Sequence, residues 1–300
     1  PPTGTVTINS GAATTNSAIV TLSLSATDNA GTVSQMQFSN DGTTYSTPEA
    51  YATTKTWTLT GGDGTKTVSV KFKDAAGNWS AAASDTIVLD TTKPIISAMS
   101  ASGVTQTAAT ITWTTNEAST SQVDYGLTIS YGSSSPLDAT LVTSHSVALS
   151  GLTAGTLYHY RVRSKDAVGN EQLSADATFT TTAAADTTPP TGSVTINSGA
   201  AGTNNANVTL TLSATDNSGT VAQMQFSNDG TTSSTPEAYA TTKPWTLTSG
   251  DGTKTVYAKF KDPAGNWSAP VSDTIVLDAT PPTIGFTSPK DRDVLIAPSQ

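Results

Sequence analysis

Residues 1–92 recur at 189–280 without a gap, at an offset of 188, and the two copies differ at only 16 positions. Copies this close fold alike, so the chain holds two equivalent units of about 90 residues with a third stretch between them. The motif Asp-x-x-Gly-Asn marks all three. It begins at Asp74 ("KDAAGNWS"), Asp166 ("KDAVGNEQ") and Asp262 ("KDPAGNWS"), 92 and then 96 residues apart, the length of one immunoglobulin-type domain. The expected organisation is A, B, A: residues 1–92, 93–186 and 187–280, followed at 281–300 by a linker and the first strands of an incomplete fourth domain. Proline and threonine cluster at the joints, in "LDTTKP", "ADTTPPT" and "LDATPPT". Proline fixes φ and pushes its predecessor toward extended conformations, so the joints are short and stiff and the expected array is a rod.

Within the first unit the apolar period is two. "VTLSLSAT" sets Val20, Leu22, Leu24 and Ala26 against hydroxyls, "TKTVSVKFKD" sets Val68, Val70 and Phe72 against Ser and Lys, and "TWTLT" offers Trp57 and Leu59. Asx and Gly turn signals separate these runs, in "TDNAGT", "SNDGTT" and "GGDGTK", and no stretch carries a helical stripe. Short antiparallel strands with one wet face predict an all-β chain of three tandem immunoglobulin-like or fibronectin III-like β-sandwiches. In the middle unit, "AATITWTTNEASTSQVDYG" predicts one strand holding Trp113 and a second ending near Tyr125, and "SHSVALSGLTAGTLYHYRVRSKDAVGN" predicts two more around a tight turn.

Charge and composition exclude several function classes. The net charge is −9 with 14 Lys and Arg, none in a run, which gives no footprint for a phosphate backbone or an anionic membrane. No apolar stretch approaches the roughly 20 residues of a bilayer span. The start, "PPTGTVTINS", lacks a basic region followed by an apolar core and reads as a mature piece or an excised fragment. Cysteine is absent, so there are neither disulfide staples nor thiolate metal sites.

The middle unit resembles fibronectin type III domains, especially those that precede the catalytic domain of purple acid phosphatase-like proteins. The resemblance rests on Trp113 and on "LTAGTLYHYRV", where Leu152 and Tyr158 match that family's turn leucine and tyrosine corner, and it covers roughly residues 95–182. The phosphatase's own Asp, Asn and His clusters have no counterpart in the sequence. The outer units resemble bacterial Ig-like domains through "PPTG", "DGT", "F-x-D-x-x-G-N-x-S" and "TIVLDTT". The resemblance implies an extracellular or cell-surface location and a role in adhesion, display or spacing.

The candidate sites read mostly as architecture. At Asp74, Asp166 and Asp262 the carboxylate is expected to accept backbone amides of its own turn, with Gly77 or Asn78 in a left-handed conformation. A calcium reading would join Asp74 or Asp262 to the linker residues Asp90 or Asp278, and one carboxylate per loop falls short of the six to eight oxygens calcium takes. Trp79 and Trp267, in "GNWS", are expected to cap the sandwich edge; stacking on sugar rings is the competing role. His145 and His159 are expected to be solvated strand residues, and Ser144 points away from His145. "GGDGT" at 61–65 reads as a hairpin turn, because no helix follows it to make a phosphate loop. "NWS" and "NVT" fit the N-glycosylation pattern. No catalytic, cofactor or metal residue is assigned. The function expected is a non-catalytic extracellular rod that spaces, displays or assembles, its partner a second copy in a filament or another surface protein. The alternative is a set of accessory carbohydrate-binding modules of a secreted polysaccharide-degrading enzyme, with a polysaccharide as partner.

Overall fold

Alternating apolar residues build each sheet. The strand Ile19–Thr27 buries Val20, Leu22 and Leu24 and turns the residues between them to solvent, as period-two patterning on a one-sided sheet requires. A computed structural model describes residues 1–29 and 31–285, and the chain divides into two compact units, Pro1–Ala184 and Ala185–Gln300. The first unit contains two sandwiches. In the N-terminal one, Thr3–Ile8, Ile19–Thr27 and Thr54–Thr58 form a three-stranded sheet. Facing it is a five-stranded sheet in which Gly64–Asp74 lies between Val33–Ser39 and Ala83–Leu89. Met36, Phe38, Phe72 and Ile87 fill the space between the sheets at 2% exposure or less. The second unit repeats this topology from Thr191–Ile196 to Val271–Leu277.

Two coupled exchanges separate the repeats. Val70 lies opposite Ala83 on the neighbouring strand, whereas the second copy has Ala258 opposite Val271. The large and small residues trade places and the core volume is kept. Likewise Tyr45 and Ser69 in the first copy become Ser233 and Tyr257 in the second. The Tyr45 ring lies under the Lys71 ammonium at 4.4 Å, and Tyr257 packs against Gly230.

The middle sandwich departs from the sequence expectation at one point. The predicted pair of strands around Trp113 and Tyr125 is one strand, Ala108–Gly126, of 19 residues. Its first half pairs with Ile96–Ser102 and Asp138–Ser150, its last five residues with Leu157–Lys165, and the register shifts between Thr114 and Ser121. "NEASTS" contains neither Gly nor Pro to reverse the chain, so the strand bulges and passes from one sheet to the other. Asp138–Ser150 and Leu157–Lys165 pair with different halves of that strand and not with each other. The connection between them is therefore an arch and not the tight hairpin expected. Inside it Leu152 is buried and the Tyr158 hydroxyl accepts the Thr153 N–H at 3.0 Å, the geometry of a tyrosine corner.

"GGDGT" also differs from expectation. The strands it joins, Thr54–Thr58 and Gly64–Asp74, belong to opposite sheets, so it is a crossover and not a hairpin turn. Its Asp63 accepts the N–H and hydroxyl of Thr91 at 2.8 Å each. The Thr92 hydroxyl, and then Thr91, hold this carboxyl below the usual carboxylate range. Asp251 grips Ala279 and Thr280 in the same way. The linker leaving each outer sandwich is thus tied to that sandwich. Residues 281–285 carry no regular structure, and 286–300, which include most of the expected fourth-domain strands, lie outside the described residues.

Candidate functional site

The Asp-x-x-Gly-Asn turn comes at the end of the strands Gly64–Asp74, Leu157–Lys165 and Gly252–Lys261 and closes the hairpin each of them opens. Asp166 Oδ1 accepts the N–H groups of Val168, Gly169 and Asn170 at 2.7 to 2.9 Å, and Asp262 Oδ1 accepts those of Gly265 and Asn266 at 2.7 and 2.9 Å. Asp74 Oδ1 accepts Asn78 N–H at 2.8 Å. The fourth motif position stands at φ +95°, +100° and +105° in Gly77, Gly169 and Gly265, a conformation glycine adopts at little cost. At Asp74 the Asn78 side-chain amide, then its backbone N–H, keep the carboxyl below the usual range. At Asp262 burial works the other way, and the Asn266 bonds outweigh it.

The asparagine then reaches outside its own turn. One amide hydrogen of Asn170 bonds Asp166 Oδ2 at 2.7 Å, and another bonds the carbonyl of Asp90 at 2.9 Å. Asn266 repeats this with Asp262 Oδ2 at 2.7 Å and the Asp186 carbonyl at 3.1 Å. Each bond spans 80 residues and seats the linker that enters a sandwich on that sandwich's last hairpin.

Seating the linker brings carboxylates together. One oxygen each from Asp90, Glu117 and Asp166 lie within 4.8 Å of one another, and so do one each from Asp186, Asp216 and Asp262. The structure therefore groups the motif aspartate with the linker before its domain, whereas the sequence had offered Asp90 and Asp278, the linkers after the outer domains. It also adds Glu117 and Asp216, which the sequence reading passed over. Asp90 precedes Asp166 by 76 residues and Asp186 precedes Asp262 by the same 76, a separation too long for local signals to reveal the pairing. Among the described residues no ion pair reaches any of these six acids. Unit charges about 5 Å apart repel by about 3 kcal/mol at an effective dielectric of about 20. Burial raises the Glu117 pKa above its ordinary value, and Asp166 and Asp90 add to the rise.

The other candidates fall to structural roles. His145 is buried, at 2% exposure, and not solvated as expected. It stacks on Trp113 with centroids 4.8 Å apart and an interplanar angle of 5°, and bonds the hydroxyls of Thr115 and Ser121 at 2.9 and 2.8 Å. Burial lowers its pKa, opposed by Asp138. Its place two and four residues before Val147 and Leu149 on one face was the signal. His159 is partly buried, and its Nδ1 lies 2.9 Å from Asp176 Oδ2. Ser144 is exposed on the opposite face of the strand. Trp79 and Trp267 fold back partly buried beneath Lys73 and Lys261, whose ammonium groups stand 5.5 and 5.7 Å from the rings. Among the described residues every exposed large apolar side chain is aliphatic.

Comparison with known proteins agrees with this architecture. The Bacterial Ig domain family matches residues 2–70 and again 190–258, and the family described as purple acid phosphatase, N-terminal domain, matches 97–181. The chain is two bacterial Ig domains flanking a purple acid phosphatase N-terminal-type domain. Among proteins similar to this tandem, Exoglucanase B of Cellulomonas fimi is 31% identical over 271 residues, which cover 86% of this chain and 23% of that protein. Endoglucanase B of the same organism is 34% identical over 225 residues, 71% of this chain and 21% of that one. Chitinase A1 of Niallia circulans is 36% identical over 136 residues, 41% of this chain and 18% of that one. The tandem thus spans about a fifth of the length of each relative. The central fibronectin-III array of RIM-binding protein covers 90% of this chain at 18% identity with a TM-score of 0.26, and 96% of that array is covered. Among the described residues no helix of the Ig and phosphatase-type domains is long and apolar enough to cross a membrane.

Proposed function

We propose that this chain is a non-catalytic spacer in a secreted polysaccharide-degrading protein, with structural domains at 1–92, 93–186 and 187–280 that hold other parts of that protein at a distance, as a rod. The relatives named as a chitinase and two glucanases supply the setting. The observation that favours spacing over glycan binding is the surface. Sugar-binding faces present aromatic rings to stack on pyranoses, whereas the exposed large side chains here are Ile, Leu and Val and the indoles of Trp57 and Trp245 are tied to Asn40 and Asn228. The hydrogen bonds at each joint favour spacing, because they hold linker to domain.

Co-sedimentation with insoluble chitin and crystalline cellulose tests this reading. The chain is expected to stay in the supernatant at every polysaccharide load, with release of no reducing sugar. Saturable binding to either polymer would favour the accessory carbohydrate-binding role instead.

A further inference from the structure

The acid cluster of Asp186, Asp216 and Asp262 differs from ordinary solvated carboxylates in one respect. Asp186 Oδ1 accepts the N–H groups of Thr188 at 3.0 Å and Asn217 at 3.2 Å, and Asp216 Oδ2 accepts both the backbone N–H and the hydroxyl of Ser218. The remaining oxygens, Asp186 Oδ2 and Asp216 Oδ1, are sealed from solvent and receive no donor. Asp262, the third member, is 1% exposed, and its own oxygens are oriented by Gly265 and Asn266. The residue matching Asp216 in the first copy, Asp28, has a side chain only 2% exposed, and the Pro1 ammonium stands 3.8 Å from its Oδ1. Buried carboxylate oxygens without a donor are rare in folded proteins and ask for a positive partner. No protein cation supplies one at Asp186, Asp216 and Asp262 among the described residues.

We propose that Asp186, Asp216 and Asp262 bind a calcium ion that locks the entering linker onto the last hairpin of its domain. The donor set is all hard oxygen with neither His nor Cys, which selects calcium or magnesium over transition metals. Three carboxylates from three separate chain segments leave coordination places for water and carbonyl oxygens, an irregular shell that calcium accepts and that the strict octahedron of magnesium does not. The motif explains itself on this account. Its Asp is a ligand held rigid by turn amides, and its Asn positions the linker that carries the second ligand. The inference concerns the joints and is independent of whether the surface binds glycan.

Isothermal titration of the chelator-treated 300-residue chain with calcium chloride tests it. At least one ion per chain is expected. Calorimetric melting in calcium at 100 times its Kd should rise by about 10 °C over the same chain in chelator. Asp186→Asn lies outside the strands and keeps the side-chain shape, so it is expected to leave the far-ultraviolet circular dichroism unchanged and to remove one ion from the stoichiometry. No binding heat together with identical melting in calcium and in chelator would overturn the proposal, as would a stoichiometry untouched by Asp186→Asn.

Discussion

Trp113→Ala is expected to lower the stability of the middle domain by about 4 kcal/mol, the usual range for deleting a fully buried tryptophan. Trp113 is 1% exposed and is the largest fully buried side chain among the described residues. It sits where the long strand passes between sheets, donates its indole N–H to Ser164 Oγ at 3.0 Å across the sandwich, and covers the His145 ring. Truncation leaves a cavity, an unpaired Ser164 hydroxyl and an unstacked imidazole together. Because a domain of this size is stable by only about 5–15 kcal/mol, scanning calorimetry should show the middle transition fall by roughly 15 °C or more. Trp113→Phe restores much of the volume but not the donor, and its loss should be smaller by about half.

The second large effect is expected at Gly192→Ala, the gentlest substitution available to a glycine. A Cβ at Gly192 would stand 2.5 Å from Phe260 Cε2 and 2.5 Å from the Ser213 carbonyl oxygen. Neither neighbour is free to move. Phe260 is fully buried in the core, and Ser213 is paired with the edge of the same sheet at position 193. Relief requires the first strand to lift from its partner or the ring to leave its place, at a cost of about 3 kcal/mol. Gly4 meets Phe72 and Ser25 at 2.5 and 2.6 Å, so Gly4→Ala should destabilise the N-terminal domain by the same amount. Urea denaturation of each variant, monitored at the two transitions separately, distinguishes the effects. Equal losses from both variants follow from the repeated geometry.

Much of the fold was legible because sandwiches are written in local patterns. Val20, Leu22 and Leu24 alternate, and the strand they predict is there with the predicted face buried. Tyr158 and Leu152 marked the tyrosine corner because it is a short-range motif, although the tight turn expected there is an arch. The errors share a cause, which is that sheet membership depends on contacts distant in sequence. "NEASTS" looks like a break to a reader of local signals, but the chain crosses between sheets there without turning. "GGDGT" looks like a hairpin because glycines reverse chains, but the strands on its two sides find different partners. His145 was misplaced by its polarity, although its parity with Val147 and Leu149 put it inside. The turn at Asp166 could be read from six residues. That it meets Asp90 could not, because the contact spans 76 residues and forms only once the linker is seated.

If the joints hold the three domains apart as a spacer, small-angle X-ray scattering of the full chain should report an extended particle. The longest strand of the N-terminal sandwich has 11 residues, which at about 3.3 Å per residue makes a domain roughly 36 Å long. Three such domains in line give a maximum dimension on the order of 110 Å and a radius of gyration near 30 Å, with strand rise setting the scale. A compact globule of 300 residues has a radius of gyration of about 19 Å. The larger value is expected, with a distance distribution skewed to long vectors; a bell-shaped distribution with the smaller value would rule out a spacer.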